Sequence, residues 1–167
     1  MERESADHVI YKTAFIWVDG SCSGNPGSMG VGMHITSWEG VDHYAGGGWL
    51  GHGTNNEAEF YAVLSGLLIA EQLGYKYVKL YSDSQTVVYG INGVYAIKAP
   101  NLVPLAALVK TQLASFSGWE IVKIPRESNS NADAIAQSFT KKRKKNPSFN
   151  AWLRTEIRRL KDGNRTG

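Results

Sequence analysis

Thr54-Asn55-Asn56-Glu57-Ala58-Glu59-Phe60-Tyr61-Ala62-Val63-Leu64 opens the longest helical pattern in the chain and carries two acids suited to different tasks. Thr54 followed three residues on by Glu57 is a capping box, in which hydroxyl and carboxylate satisfy the first free N–H groups of a helix. Glu57 therefore has a local task. At about 100° per residue Glu59 points roughly 200° away from it, and from Tyr61 the pattern is mostly apolar until Leu73-Gly74 ends the helix. Glu59 thus heads a face that is otherwise buried, where a carboxylate is costly unless it is paired or binds a metal. The competing reading is an exposed first-turn acid that complements the helix dipole.

Working outward from this helix, Thr13 to Val18 reads as a central strand that stops at Asp19-Gly20, followed by a small-residue loop from Ser21 to Gly30. Val31 to Thr36 and Val41 to Trp49 read as second and third strands, and their short connections predict an antiparallel meander. After the helix of residues 55–73, Tyr77 to Tyr81 is a fourth strand. Reached through a long crossover, it should run parallel to the first. A short helix near Thr86 to Ile91, a helix from Leu105 to Phe116, a fifth strand from Trp119 to Ile124 and a last core helix from Asn131 complete an α/β pattern without internal repeats.

The 167 residues, 43% apolar with five prolines, suit one domain with a sizeable core. The single cysteine, Cys22, and the lack of a leader-like or membrane-spanning run predict a soluble protein of a reducing compartment, placed in the cytoplasm, and a monomer is expected. The net charge of +3 conceals a split. Residues 141–167 hold ten Lys/Arg and two acids, a net of +8, which leaves −5 on the remainder. We therefore divide the chain into a flexible start (1–8), a body (9–140) and a basic tail (141–167). In the tail, the run Lys141-Lys142-Arg143-Lys144-Lys145 precedes a helical stripe of Phe149, Trp152, Leu153, Ile157 and Leu160. The tail reads as a helix docked on the body behind a solvated charge run, as an anchor for nucleic acid, or as a contact for a membrane surface or protein partner, readings that do not exclude one another.

Four acids sit where a strand or helix meets a loop: Asp19, Glu59, Asp83 and Asp133. Singly, Asp83 reads as an N-cap, Asp133 as a dipole partner and Asp19 as a turn residue. Jointly they mean more. Ligands of open α/β sheets bind at the carboxyl ends of the strands, where Asp19 and Asp83 would stand side by side. Converging carboxylates repel one another unless cations neutralise them, and oxygen donors without His or Cys select Mg²⁺ or Mn²⁺. The chemistry that suits such a site is phosphoryl transfer, with two ions roughly 4 Å apart.

The segments Asp19-Gly20-Ser21-Cys22-Ser23-Gly24-Asn25-Pro26-Gly27, Thr54 to Glu59, Ser82-Asp83-Ser84-Gln85 and Asn129 to Asp133 resemble, in order and spacing, those of type 1 ribonuclease H. The resemblance spans about residues 13–140. It implies a ribonuclease H-like fold, a mixed five-stranded sheet (three antiparallel strands, then two parallel) flanked by helices. It also implies a nuclease that cuts the RNA strand of RNA–DNA hybrids with two Mg²⁺ ions, Mn²⁺ substituting, and leaves 5′-phosphate ends. By the same resemblance, the metal-binding and catalytic quartet is Asp19, Glu59, Asp83 and Asp133, and the hybrid is contacted by Cys22, Asn25, Thr54, Asn55, Asn56 and Gln85. Short neutral groups of this kind suit 2′-hydroxyls in a shallow minor groove.

Some residues depart from that pattern. The loop Pro125-Arg126-Glu127-Ser128-Asn129 lacks the histidine many members carry there, residues 92–101 are too short for the family's basic protrusion, and Ala99 and Val103 replace residues that grip the DNA strand in some relatives. The basic tail would compensate for this modest grip. Two rivals are weighed against this reading: another nuclease of the same fold, of resolvase or integrase type, and a catalytically silent hybrid-binding module.

Overall fold

The computed structural model describes residues 6–141 and 147–166. In chain order it contains α1 (Ala6–Tyr11), β1 (Thr13–Gly24), β2 (Gly27–Thr36), β3 (Asp42–Gly53), α2 (Asn55–Gln72), β4 (Tyr77–Ser82), α3 (Gln85–Ile91), α4 (Val103–Leu113), β5 (Gly118–Lys123), a 3₁₀ turn (Arg126–Asn129), α5 (Ser130–Lys141) and α6 (Pro147–Thr166). The strands form one sheet in the order β3-β2-β1-β4-β5. Pairs β1–β2 and β2–β3 are antiparallel, and β1–β4 and β4–β5 are parallel. This is the mixed sheet that the residue pattern and the resemblance imply.

Strand β1 outruns the expectation. Its parallel pairing with β4 ends at Trp17 and Tyr81, but its antiparallel pairing with β2 continues to Gly24 opposite Gly27. The small-residue segment is therefore mostly a β-hairpin, and Asp19 lies within the strand instead of ending it. Backbone ladder bonds suffice to hold Ser and Gly in a strand when the partner strand is adjacent in sequence, a case composition alone does not reveal. For the site the essential point survives: Asp19 stands just past the last β1–β4 pair, and Asp83 just past the end of β4.

Helix α2 starts as the capping box predicts. Thr54 Oγ1 accepts the Glu57 N–H and Glu57 Oε1 accepts the Thr54 N–H, both at 3.1 Å. Every residue from Ala58 to Ala70 is buried, because α2 is enclosed between the sheet on one side and α3, α4 and α6 on the other. Two glycines set how closely helices approach the sheet. A Cβ on Gly20 would lie 2.3 Å from the Ala58 carbonyl carbon, so α2 rests directly on β1 there. A Cβ on Gly32 would lie 2.3 Å from the Ala132 carbonyl oxygen, so α5 rests likewise on β2. Asp19 is paired with Gly32 and shares its face, whereas Gly20 faces α2. The sheet thus carries α2 and α5 on opposite faces.

The ends of the chain differ from the three-part division. A loose start at 1–8 falls partly on residues 1–5, which lie outside the described residues, but the chain is already helical from Ala6. In the tail, α6 packs its stripe on the body. Leu153, Ile157 and Leu160 belong to the main core, with Phe149 and Trp152 against it. Arg154 donates from Nη1 to the Tyr61 hydroxyl at 2.8 Å, and its guanidinium lies 4.7 Å from the centre of that ring. The folded unit therefore extends past residue 140, with the apolar stripe of α6 packed against the body. Most of the basic run, residues 142–145, lies outside the described residues. Among the described residues no helix is long and apolar enough to cross a membrane.

Candidate active site

Four elements deliver the acids to one edge of the sheet. β1 supplies Asp19, the segment after β4 supplies Asp83, the second turn of α2 supplies Glu59 and the first turn of α5 supplies Asp133. All four line a cavity of about 470 Å³, together with Gly20, Ser21, Cys22, Asn55, Ser84, Arg126 and Gln137. One carboxylate oxygen from each of Asp19, Glu59 and Asp83 lies within 4.8 Å of the others. Asp133 borders this trio beside Asp19, and both its oxygens accept from Gln137 Nε2 at 3.0 Å.

Local capping explains why these acids are free to converge. Asp83 is not an N-cap. That place is taken by Ser84, whose Oγ accepts the Val87 N–H at 3.3 Å. Glu59 is not an exposed dipole partner, being only 9% exposed, and Asp19 is 5% exposed. Glu59 Oε1 accepts the Gly20 N–H at 3.0 Å, while its Oε2 is buried with no partner. Asn129, itself 2% exposed, donates from Nδ2 to the Val18 carbonyl at 2.8 Å and to Asp83 Oδ2 at 3.4 Å, tying the turn before α5 to β1 and to the end of β4.

The electrostatics follow from this packing. Burial pushes the Asp19 carboxyl up, and the nearby Glu59 charge adds to the shift. Burial also raises Glu59, and the charge of Asp83 opposes its ionisation. Among the described residues Arg126 is the one cation lining the cavity. The site therefore holds more negative charge than it neutralises. An orphaned, buried carboxylate oxygen beside two further carboxylates fits a hard divalent cation. Cys22 does not add a ligand. Its thiol donates to the Gly53 carbonyl at 3.1 Å, and burial raises its pKa, which keeps it protonated.

The six candidate substrate residues divide. Cys22 and Asn55 line the cavity. Asn25 Oδ1 accepts the Asn55 N–H at 3.1 Å, fastening the β1–β2 turn to the start of α2. Thr54 caps α2, Asn56 is exposed beside Asn55, and Gln85 is exposed at the start of α3, outside the cavity lining. Sequence reasoning missed Gln137. The available signal was its spacing of four from Asp133 on one helix, which lets a carboxamide reach a carboxylate.

Such a sheet, with acids gathered at the strand ends, defines the class of ribonuclease H-like folds. A family model described as reverse transcriptase-like matches residues 17–139. The ribonuclease HI of Halobacterium salinarum is 34% identical over 120 residues, which are 72% of this chain and 60% of that protein. This chain thus spans less than two thirds of that relative's length. The crystal structure of ribonuclease H1 from the same archaeon superposes with a TM-score of 0.74 at 32% identity, covering 75% of this chain and 96% of that one. A structure of LC11-RNase H1 in complex with an RNA/DNA hybrid gives 0.73 at 30% identity, with 77% and 97% covered. The chain belongs to the reverse transcriptase-like family, among the type 1 ribonucleases H. As in the reading from residues 92–101, no helix lies between α3 and α4.

Proposed function

We propose that this chain is an endoribonuclease that hydrolyses the RNA strand of RNA–DNA hybrids with the help of two divalent ions, Mg²⁺ or, in its place, Mn²⁺. The observation that carries the proposal is the seat made by Asp19, Glu59 and Asp83, three carboxylates within 4.8 Å whose mutual repulsion is only partly offset by Arg126, the one cation lining the cavity among the described residues. Those three residues and Asp133 would hold the ions. When bound, the ions supply activation of the attacking water and stabilisation of the departing ribose oxygen. The chain's own groups orient the site: the Gly20 N–H fixes Glu59 and the Asn129 amide steadies Asp83. Arg126, in the loop that lacks a histidine, lines the same cavity and would supply positive charge for a substrate phosphate.

On the substrate side Cys22 and Asn55 offer short groups at the cavity, with Asn25, Thr54 and Asn56 beside them, which suits contact with 2′-hydroxyls and phosphates without reading base sequence. The same four acids disfavour a silent binding module. Labelled hybrid, duplex RNA and a DNA junction incubated with and without Mg²⁺ test the proposal. Cleavage confined to the RNA of the hybrid, dependent on Mg²⁺ and lowered roughly a thousandfold in Asp19→Asn, is expected. Binding of hybrid without cleavage in any divalent ion would overturn it.

A further inference from the structure

Three of the cavity acids each accept a hydrogen bond from a neutral N–H group. Glu59 takes one from the Gly20 main chain, Asp83 from the Asn129 amide and Asp133 from the Gln137 amide. The third arrangement differs from the other two. The Gly20 donor is backbone, and the Asn129 amide is shared with the Val18 carbonyl, so both are part of how the chain folds. Gln137 instead directs Nε2 at both oxygens of Asp133, 3.0 Å from each, one helical turn away on α5. The helix itself is seated by other means, through the close approach of Ala132 and Ala136 to Gly32. The amide is thus not needed to hold α5 in place. Its evident effect is on the plane of the Asp133 carboxylate, whose other side-chain partner is Asp19, another of the cavity acids.

We infer that Gln137 is a positioning residue for divalent-cation binding. Its amide presets the Asp133 carboxylate at the margin of the three-acid seat and so raises the affinity with which that carboxylate joins a cation. The inference rests on the proposed role of Asp133 as an ion ligand. Groups that hydrogen-bond a metal ligand from behind typically change metal affinity 10–100-fold when removed.

The test is calorimetric titration of the full chain with Mn²⁺ alone, without nucleic acid. Gln137→Met keeps the length and helix preference but has no donor, and it is expected to weaken Mn²⁺ binding about tenfold while the ion-free melting temperature stays unchanged. Gln137→Asn, whose amide is too short to span both oxygens, is the second variant and should show the same loss. In an Asp133→Asn background Gln137→Met should cost nothing further, since the two residues act as a unit. Unaltered Mn²⁺ affinity in both single variants, or an equal loss with and without Asp133→Asn, would overturn the positioning role. Wild-type affinity in Asp133→Asn alone would instead remove Asp133 as a ligand, which is how a failure of the underlying reading would be recognised.

Discussion

Helix α2 carries Glu59 in its second turn and Glu71 in its last, and their surroundings are opposite. Glu71 accepts from Gln112 Nε2 at 2.6 Å and Ser115 Oγ at 2.8 Å, with Arg159 Nη2 at 3.9 Å, so its charge fastens α2 to α4 and α6. Glu59 is more deeply buried, has Asp19 and Asp83 as neighbours and leaves one oxygen without a partner. The same helix thus shows that this fold can satisfy an acid when the acid's task is structural. Where it leaves acids unsatisfied, stability is given up, the pattern expected of a site built for function.

The strongest way to break this contrast is to remove one charge from the unsatisfied cluster. Asp83→Asn is expected to cut Mg²⁺-dependent cleavage roughly a thousandfold and yet to raise the ion-free melting temperature, because repulsion with Asp19 and Glu59 falls. A melting temperature below that of the parent would make Asp83 a structural residue. Glu71→Ala should do the reverse. It strips the acceptor from Gln112, a residue only 1% exposed, and should cost about 1–3 kcal/mol. For a chain of this size that corresponds to about 2–4 °C of melting temperature per kcal/mol. The turnover rate of the folded enzyme should be unchanged.

A smaller effect follows from pH. Burial and neighbouring charge raise the Asp19 and Glu59 carboxyls above their ordinary values, so the folded protein keeps protons that the unfolded chain releases above about pH 4. Stability from this source is greatest in acid and is lost as pH rises toward the folded values. Differential scanning calorimetry without ions should find Asp19→Asn gaining most over the parent at about pH 8 and least at about pH 5.5, by roughly 1–2 kcal/mol between the two. Mg²⁺ should remove the difference at the higher pH, since an ion that binds only the folded state replaces the proton. A difference that does not vary with pH would show that Asp19 is ionised without strain.

Much of this contrast was legible in the residues themselves. The capping box gave Glu57 its local role and freed Glu59 for another, and the antiparallel meander of the first three strands and the parallel fourth followed from connection lengths. Three things were hidden. The length of β1 depends on a ladder with β2 that small residues do not advertise. The identity of the α3 cap depends on whether Asp83 or Ser84 turns its side chain toward the Val87 N–H, a matter of one backbone rotation. Gln137 matters only because Gly32 brings α5 close enough for Asp133 to reach the cavity, a packing relation between residues far apart in sequence. Periodicity reports which face of an element is buried, but not what stands opposite each residue on it.

The mildest test extends the contrast from acids to cations. On α6, Arg154 is engaged with Tyr61 and Asn150, and Arg159 with Glu156 and Glu71, which makes them structural in the same sense as Glu71. Deleting residues 141–167 would therefore remove Leu153, Ile157 and Leu160 from the core and confound any effect on substrate. Replacing Lys142, Arg143, Lys144 and Lys145 with glutamine leaves α6 intact. If that run meets the hybrid, the quadruple variant should keep the parent's melting temperature and turnover while its Michaelis constant rises. The slope of log affinity against log salt should flatten by about 0.7–0.9 for each lost phosphate contact. The measurement is a set of binding isotherms from low to physiological salt. An unchanged slope would leave the grip on nucleic acid to Arg126 and the polar residues around the cavity.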